Sequence, residues 1–280
     1  MKNKVGNLPE VNEYFQKKAD KYDLVENQVY WQLSDAILWN TFKKEALSKL
    51  DKNFTFLDAG GGTGRWAFKV LTEFQNSTGA ICDISTEMLE EARNKVVDSN
   101  KDRINFQQQD LHDLSIYPDE KFDIVFNFHN VLGFVQSPEK VLAEFSRITK
   151  KGGYVISFVP NLYHTLFFNV FQGKSENLNS IISEMTGRFT TDMPFINLFT
   201  PDSLTELYKK TNLDLALLTG FPILIYPGFQ ETRLTGSSQQ ISNILDNETS
   251  FKEIFDAEIQ LINNSTASRG NNLFVVGHKH

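Results

Sequence analysis

A glycine-rich loop preceded by an acidic residue is the feature of this sequence best suited to chemistry. Asp58 closes an apolar run and precedes Gly60, Gly62 and Gly64, after which a helical pattern begins. Glycines tolerate positive φ angles and let the backbone approach a ligand closely, and the free N–H groups at the start of a helix attract an anion. Taken alone, the pattern is compatible with a structural turn or with a dinucleotide-binding site.

The carboxylate in front of the glycines argues against a dinucleotide. Gly62, Gly64 and Ala67 fit the spacing of the NAD-type fingerprint. Asp58, however, lies at the mouth of the loop, where its charge would repel a pyrophosphate. It suits a ligand that carries a cationic amino group or a sulfonium, and the sequence therefore favours a positively charged ligand at this loop.

Two further acidic residues follow the next two apolar runs. Asp83 ends the second run, where a carboxylate can accept hydrogen bonds from both hydroxyls of a ribose. Asp110 follows the third run and can accept a hydrogen bond from the exocyclic amino group of an adenine. Because open α/β sheets bind ligands outside the carboxyl ends of their strands, the three acids and the glycine loop together describe a site for S-adenosylmethionine.

The elements that position these residues alternate between strand and helix. Short β-rich apolar runs lie at 54–57, 79–81, 104–106, 122–126 and 154–158. Helical patterns lie between them at 65–74, 86–98 and 138–148. This alternation predicts βαβ units and a parallel sheet with helices on both faces. Two later runs, at 213–218 and 273–277, predict further strands.

The sequence resembles the class I S-adenosylmethionine-dependent methyltransferases, in particular their small-molecule branch, over residues 54–158. The glycine loop matches their first motif, and Asp83 and Ile84 look like the second. The segments that look like the third, fourth and fifth motifs are Asp110 with Leu111, 122–125 and 151–153. The resemblance implies an α/β, Rossmann-like, doubly wound sheet of seven strands whose last strand is antiparallel.

The resemblance also implies a set of residues at the cofactor. The glycines would cradle the methionine part, Asp83 the ribose, and Asp110 with Leu111 the adenine. Arg65 would meet the methionine carboxylate, or would equally well be a solvated residue at a helix start. Tyr22 belongs to a segment that looks like a lid helix. The expected cofactor-binding residues are Asp58, Gly60, Gly62, Gly64, Arg65, Asp83, Ile84, Asp110, Leu111, Asn127 and Tyr22.

The chemistry needs little more than alignment. Methyl transfer from a sulfonium requires that the acceptor, the methyl group and the sulfur lie in line and that water is excluded. His129, just after the fourth run, is the candidate general base, because imidazole exchanges protons near neutral pH. The alternative is a histidine hydrogen-bonded beneath the cofactor. The residues expected at the substrate are Tyr14, Asn130, which otherwise caps a turn, and His164, a weaker candidate base.

Three segments surround the predicted core. We expect one methyltransferase domain over 1–280, with a cofactor-binding core at 54–158 and an N-terminal helical lid at 9–50. Two helical insertions, at 160–200 and 227–268, would cover the substrate. The sequence contains 24 Phe, many of them in these added segments, and an apolar lining of this kind is typical of an enclosed pocket for a small molecule.

Composition limits the partners. The formal net charge of −7 disfavours non-specific binding to nucleic acid or to an anionic membrane, and no apolar stretch reads as a membrane-spanning helix. The single cysteine, Cys82, excludes an intramolecular disulfide, and no His, Asp or Glu spacing indicates a metal. His112 is expected at the surface. We expect a cytoplasmic monomer or homodimer.

The function predicted from the sequence is transfer of a methyl group from S-adenosylmethionine to a nitrogen or oxygen of a small molecule by in-line displacement. Two alternatives stay open. One is a methyltransferase that acts on tRNA, rRNA or protein, which a positively charged surface patch would favour. The other is a cofactor-binding protein without catalytic activity.

Overall fold

The computed structural model describes residues 5–174 and 176–280 of the chain. The strands in these ranges are β1 (Thr55–Ala59), β2 (Thr78–Asp83), β3 (Ile104–Gln108), β4 (Phe122–Asn127), β5 (Thr149–Pro160), β6 (Thr186–Gly187), β7 (Ile196–Asn197), β8 (Asp214–Phe221) and β9 (Asn272–His278). The helices are α1 (Leu8–Gln16), α2 (Val29–Glu45), α3 (Arg65–Glu73), α4 (Thr86–Asn94), α5 (Val131–Phe134), α6 (Pro138–Ile148), α7 (Leu162–Phe171), α8 (Leu178–Glu184), α9 (Pro201–Lys210), α10 (Gln239–Leu245) and α11 (Glu248–Gln260). A 3₁₀ segment, Ala19–Asn27, lies between α1 and α2.

Seven of these strands form one sheet with the spatial order β3-β2-β1-β4-β5-β9-β8. Strands β1 to β5 are parallel, whereas β9 is antiparallel to both of its neighbours, β5 and β8. The strand order reverses between β1 and β4, and a crevice for a ligand opens at such a switch point. The predicted doubly wound, seven-stranded sheet with an antiparallel last strand is confirmed.

Both faces of the sheet are buried because side chains alternate along each strand. In β1, Phe56 belongs to one apolar cluster and Leu57 belongs to the cluster on the opposite face. Residues of α2, α3, α4, α10 and α11 cover the first face, and residues of α6 and α9 cover the second. Strands that are buried on both sides read as nearly continuous apolar runs, which is why they stand out in the sequence.

Local signals start the helices that follow β1 and β2. Helix α3 begins after Gly64, which has a φ angle of +79° at the N-cap position. Helix α4 begins after Ser85, whose hydroxyl accepts a hydrogen bond from the backbone N–H of Met88 at 3.2 Å. Both helix N-termini therefore lie at the carboxyl edge of the sheet, where free N–H groups face a ligand.

The added segments are of different kinds. Tyr30, Leu33 and Ile37 of α2 are fully buried in the core, so this part of the predicted N-terminal lid is part of the main structure. The first insertion contains α7, α8 and the short antiparallel pair β6–β7, which the sequence did not indicate. Between β8 and β9 lie α10 and α11. Within the described ranges, no helix combines the length and the hydropathy needed to cross a membrane.

Candidate functional site

The glycine loop lies at the carboxyl end of β1, and its three predicted glycines all have positive φ angles. At Gly64, an added Cβ would lie 2.6 Å from the ring of Phe68, so this glycine is required by packing. At Gly62, an added Cβ would meet nothing closer than 3.7 Å. The surroundings of Gly62 are therefore less crowded, and this glycine lines a cavity, as the cradle of a ligand must.

Asp58 lies under this loop and is almost completely buried. One carboxylate oxygen accepts a hydrogen bond from the backbone N–H of Ala67 at 3.1 Å. Burial and, to a smaller extent, the nearby charge of Asp83 raise the pKa of Asp58 to about 8. A cationic group of a ligand beside Asp58 would favour the ionised carboxylate.

Asp83, at the end of β2, is tied through one carboxylate oxygen to the glycine loop and through the other to the start of α4. It accepts hydrogen bonds from the backbone N–H of Gly62 at 2.8 Å and of Ser85 at 2.9 Å. Burial raises the pKa of its carboxyl group. These bonds fix the position of the carboxylate at the edge of the cavity.

Asp110 is held in place by His112, a residue that the sequence led us to expect at the surface. One of its oxygens lies 2.7 Å from Nδ1 of His112 and accepts the backbone N–H of the same residue at 3.0 Å. The Nε2 atom of His112 accepts a hydrogen bond from the backbone N–H of Ser137 at 3.2 Å. The expectation that His112 lies at the surface was wrong, because only 17% of its side chain is exposed and it lines the same cavity as Asp110. The short separation of Asp110 and His112 in the sequence is the signal that could have indicated this contact.

A first cavity brings most of the expected cofactor residues together at the carboxyl edge of the sheet. The predicted residues that line it are Asp58, Gly60, Gly62, Arg65, Asp83, Ile84, Asp110, Leu111, Tyr22 and His129. Gly64 lies behind the loop. The structure therefore assembles in one place residues that come from β1, β2, β3, β4 and the N-terminal segment.

Asn127 is a second expected cofactor residue that does not line the cavity. Its amide donates hydrogen bonds to the backbone carbonyl of Ile156 at 2.9 Å and to the hydroxyl of Ser157 at 2.8 Å. The side chain is fully buried, since the alternation along β4 turns it into the interior on the same face as Val125.

The N-terminal segment is attached to the glycine loop by ion pairs and hydrogen bonds. Asp23 accepts a hydrogen bond from the hydroxyl of Thr63 at 2.6 Å and pairs with Lys95 at 2.6 Å. Arg65 pairs with Glu26 at 2.5 Å and with Asp35. The alternative of a solvated Arg65 was wrong, because only 11% of its side chain is exposed.

A second cavity of about 430 Å³ lies beside the first. It is bounded by the N-terminal segment, the first insertion and the stretch at 227–234, and it contains the three expected substrate residues, Tyr14, Asn130 and His164. The two cavities share one wall, made of Phe15, Tyr22, Arg65, Phe134 and His129.

His129 lies in this shared wall at the end of β4, in a backbone conformation that is unusual for its type. Both His129 and Asn130 have positive φ angles, of 52° and 74°, and strain of this kind concentrates at functional sites. The side-chain oxygen of Asn130 accepts a hydrogen bond from Asn272 at 2.7 Å. Asn130 occupies the N-cap position of α5 without a capping hydrogen bond from its side chain.

Asp35 of α2 is the functional candidate that the sequence did not reveal. Its Oδ1 atom lies 3.3 Å from Nε2 of His129. Burial by itself would raise the pKa of Asp35, but His129 and Arg65 beside the carboxylate hold the pKa below its ordinary value. No local pattern marks Asp35, since its neighbours in the site are distant in sequence.

His164 lies in the second cavity among aromatic rings, the nearest being Tyr226 at 4.9 Å between centroids. Burial lowers the pKa of His164 to about 4, so its ring is neutral at pH 7. A neutral imidazole both donates and accepts hydrogen bonds. In the part of the chain that the structure describes, no group of three or more His, Cys, Asp or Glu side chains is arranged to hold a metal.

Comparison with known proteins agrees with the geometry. A family model described as a methyltransferase domain matches residues 56–153. The ubiquinone/menaquinone biosynthesis C-methyltransferase UbiE of a Bradyrhizobium strain is 31% identical over 176 residues, which cover 57% of this chain and 67% of that protein. The tRNA 5-carboxymethoxyuridine methyltransferase of Escherichia coli is 27% identical over 143 residues, and the match spans only 54% of its length.

A solved structure supports the same fold. A chain from the complex of the Haloferax volcanii Trm112 methyltransferase activator with its methyltransferase superposes with a TM-score of 0.62 at 19% identity. The alignment covers 96% of this chain and 98% of that one. At this level of identity the likeness concerns the fold alone.

Proposed function

This chain belongs to the class I S-adenosylmethionine-dependent methyltransferases, and we propose that it transfers a methyl group to a nitrogen or oxygen of a small molecule. It is an enzyme, and S-adenosylmethionine is its cofactor. The observation that carries the proposal is the wall shared by two cavities, one with the acids suited to the cofactor and the other bounded by the added segments.

We assign the first cavity to the cofactor, because its residues fit that molecule. Gly60, Gly61 and Gly62 line this cavity, so a ligand can lie against the backbone of the loop. Asp58 would face the amino group of the methionine part, Asp83 the ribose, and Asp110 the adenine, with His112 holding Asp110. When bound, S-adenosylmethionine supplies an electrophilic methyl group on a positively charged sulfur.

We assign the second cavity to the acceptor. Its volume of about 430 Å³ is that of a small-molecule pocket. Three basic side chains line it, those of Lys18, Arg65 and Arg233, and three carboxylates balance their charge, those of Asp35, Asp192 and Glu231. Lys18 pairs with Asp192, and Arg65 pairs with Asp35. Neutralised cations do not provide the positive surface that binds a phosphate backbone, which supports a small molecule over tRNA or rRNA.

His129 is the proposed general base for an acceptor that carries a proton on its attacking atom. It borders both cavities, so it can take that proton as the acceptor bonds to the methyl carbon in line with the departing sulfur. The aromatic rings around the shared wall exclude water from the site. Tyr14, Asn130 and His164 would contact the rest of the acceptor.

Carbon is a second candidate acceptor atom, because the Bradyrhizobium relative is by name a C-methyltransferase. A nucleic acid is the alternative class of acceptor, because one of the relatives is by name a tRNA methyltransferase. Both alternatives share the cofactor cavity, and they differ from our proposal only in what enters the second cavity.

The proposal is tested by following an isotopically labelled methyl group. The purified enzyme is incubated with labelled S-adenosylmethionine and, separately, with a small-molecule extract, total RNA and total protein. We expect label in the small-molecule fraction, on a nitrogen or oxygen identified by mass spectrometry and NMR of the product. An Asp83→Ala variant, which loses the proposed ribose contact, serves as the control. Label in RNA, in protein or on carbon would contradict the proposal.

A further inference from the structure

Two buried polar atoms face each other at the wall shared by the cavities. Oδ1 of Asp35 and Nε2 of His129 lie 3.3 Å apart. Both are shielded from solvent, and neither has a hydrogen-bond partner among the described residues. Buried polar groups almost always form hydrogen bonds, so these two atoms are the natural partners of each other.

The rest of Asp35 is held in place from the other side. Its second oxygen accepts a hydrogen bond from the guanidinium of Arg65, and Arg65 also pairs with Glu26. The cation beside it stabilises the ionised carboxylate, which only accepts hydrogen bonds. The ring atom that faces Asp35 must therefore carry a hydrogen.

The imidazole of His129 has little freedom to turn. The rings of Trp66, Phe158 and Trp31 surround it, with centroid distances of 5.6, 6.1 and 6.3 Å. With Nε2 within 3.3 Å of Asp35, Nδ1 is the ring nitrogen left to exchange a proton with a ligand.

Resting on the proposed function, we propose that Asp35 is a positioning residue: it fixes the hydrogen of His129 on Nε2 and so leaves Nδ1 as the proton acceptor for the substrate. Asp35 belongs to α2, outside the segment that the methyltransferase family model matches. The base and the residue that orients it thus come from separate parts of the chain.

The Asp35→Asn variant tests the proposal because the hydrogen bond with Arg65 fixes the orientation of the new amide group. A guanidinium only donates hydrogen bonds, so the amide oxygen will face Arg65 and the amide NH₂ group will face His129. A donor opposite Nε2 favours the tautomer with the hydrogen on Nδ1. The substitution therefore reverses the tautomer with almost no change in side-chain shape.

The measurement is the tautomer of His129, read from long-range nitrogen–proton correlation spectra of protein with labelled histidines, at a pH where the ring is neutral. The spectra are recorded with S-adenosylhomocysteine bound, and a His129→Gln variant assigns the signal. We expect an Nε2–H tautomer in the wild type and an Nδ1–H tautomer in Asp35→Asn. A matched control, Glu26→Gln, removes the other carboxylate on Arg65 and leaves Asp35 in place, so the wild-type tautomer should persist.

An Nδ1–H tautomer in the wild type overturns the proposal without any variant. So does an unchanged tautomer in Asp35→Asn when the variant retains the wild-type melting temperature and affinity for S-adenosylhomocysteine. The spectra need no acceptor, so their result is separate from that of the methyl-transfer assay.

With an acceptor, turnover of Asp35→Asn should fall by about 100-fold or more at unchanged KM, as expected for loss of a general base. Wild-type turnover would also overturn it.

Discussion

Burial and ligand binding change the pKa of Asp58 in opposite directions. Its raised pKa, about 8, means that the carboxyl group holds a proton at pH 7 in the free protein. A cationic amino group beside it would favour the charged form and lower that pKa. The same carboxylate that suits a positively charged ligand therefore has to lose a proton before it can pair with one.

We accordingly expect binding of S-adenosylhomocysteine at pH 7 to release about one proton from Asp58, because its pKa falls from above to below the ambient pH. Calorimetric titrations in buffers with different ionisation enthalpies measure this number. The Asp58→Asn variant, which cannot ionise, should bind without this release. A binding enthalpy that is independent of the buffer in the wild type would contradict the assignment of Asp58 to the ligand's amino group.

Asp83 should contribute more to cofactor affinity than any nearby surface acid. The Asp83→Ala variant should raise the Kd for S-adenosylhomocysteine about 10- to 100-fold, since hydrogen bonds to a charged group contribute about 1.5–3 kcal/mol each. Asp98→Ala is the matched control, because that side chain is 93% exposed. Equal affinities for the two variants would remove Asp83 from the ribose site.

At the scale of elements, the 3₁₀ segment Ala19–Asn27 is joined to the cofactor cavity through Asp23, which bonds to both Thr63 and Lys95. Deleting residues 1–30 would be a poor test of a lid, because it also removes Tyr30 from the core and from its hydrogen bond with Asn271. A single substitution in the segment isolates the closing contact.

The Asp23→Ala variant should therefore raise the dissociation rate of S-adenosylhomocysteine about tenfold. It loses the hydrogen bond with Thr63, which contributes about 0.5–1.5 kcal/mol, and the partly exposed ion pair with Lys95, which contributes about 0.2–1 kcal/mol. Stopped-flow displacement measures the rate. Asp20→Ala is the control from the same segment, because Asp20 is exposed and lies 3.9 Å from Lys21. If the Asp23 variant dissociates at the wild-type rate, the segment does not close the site.

The elements that the sequence predicted well are those with strong local signals. The helix predicted at 138–148 begins with Pro138 and has the observed bounds, and the buried parallel strands appear as apolar runs. The helix predicted at 86–98 ends earlier, at Asn94, where Lys95 forms the cap. The strands β6 and β7 have two residues each, too few for a period to be visible.

The same division holds in the candidate site. The glycine loop and the acids at 58, 83 and 110 could be located because each lies at or just after the carboxyl end of a strand, so chain order predicts their position. Asp35 could not, because its role depends on long-range packing of α2 against the end of β4. Asn127 was assigned to the cavity by its position at the end of the fourth run, but the direction of its side chain places it in the interior.

For the whole molecule, the aromatic residues serve two purposes. Many of the 24 Phe fill the core, where rings such as those of Phe42, Phe56 and Phe126 pack at centroid distances of 5.0–5.8 Å. Others, including Phe15 and Phe168, line the second cavity. The high number of Phe, from which a pocket was predicted, thus reflects the core as well. The pocket is formed by segments added around that core.

These added segments are joined to one another across the second cavity. The side chain of Gln28 donates a hydrogen bond to the backbone carbonyl of Arg233 at 2.5 Å. The indole N–H of Trp31 donates a hydrogen bond to the backbone carbonyl of Glu231 at 2.8 Å. A cofactor that orders the N-terminal segment should therefore also order the second insertion, although the loop at 228–236 does not border the first cavity.

Hydrogen exchange with and without S-adenosylhomocysteine tests this coupling. We expect slower exchange at 19–27, which borders the cofactor, and also at 228–236, because stabilising one segment reduces opening of the segment bonded to it. Helix α9, which packs on the other face of the sheet, should be unaffected and serves as the internal control. A Gln28→Ala variant should lose the protection at 228–236 while retaining it at 19–27. Protection confined to the glycine loop and 19–27 in the wild type would mean that the acceptor cavity closes independently of the cofactor.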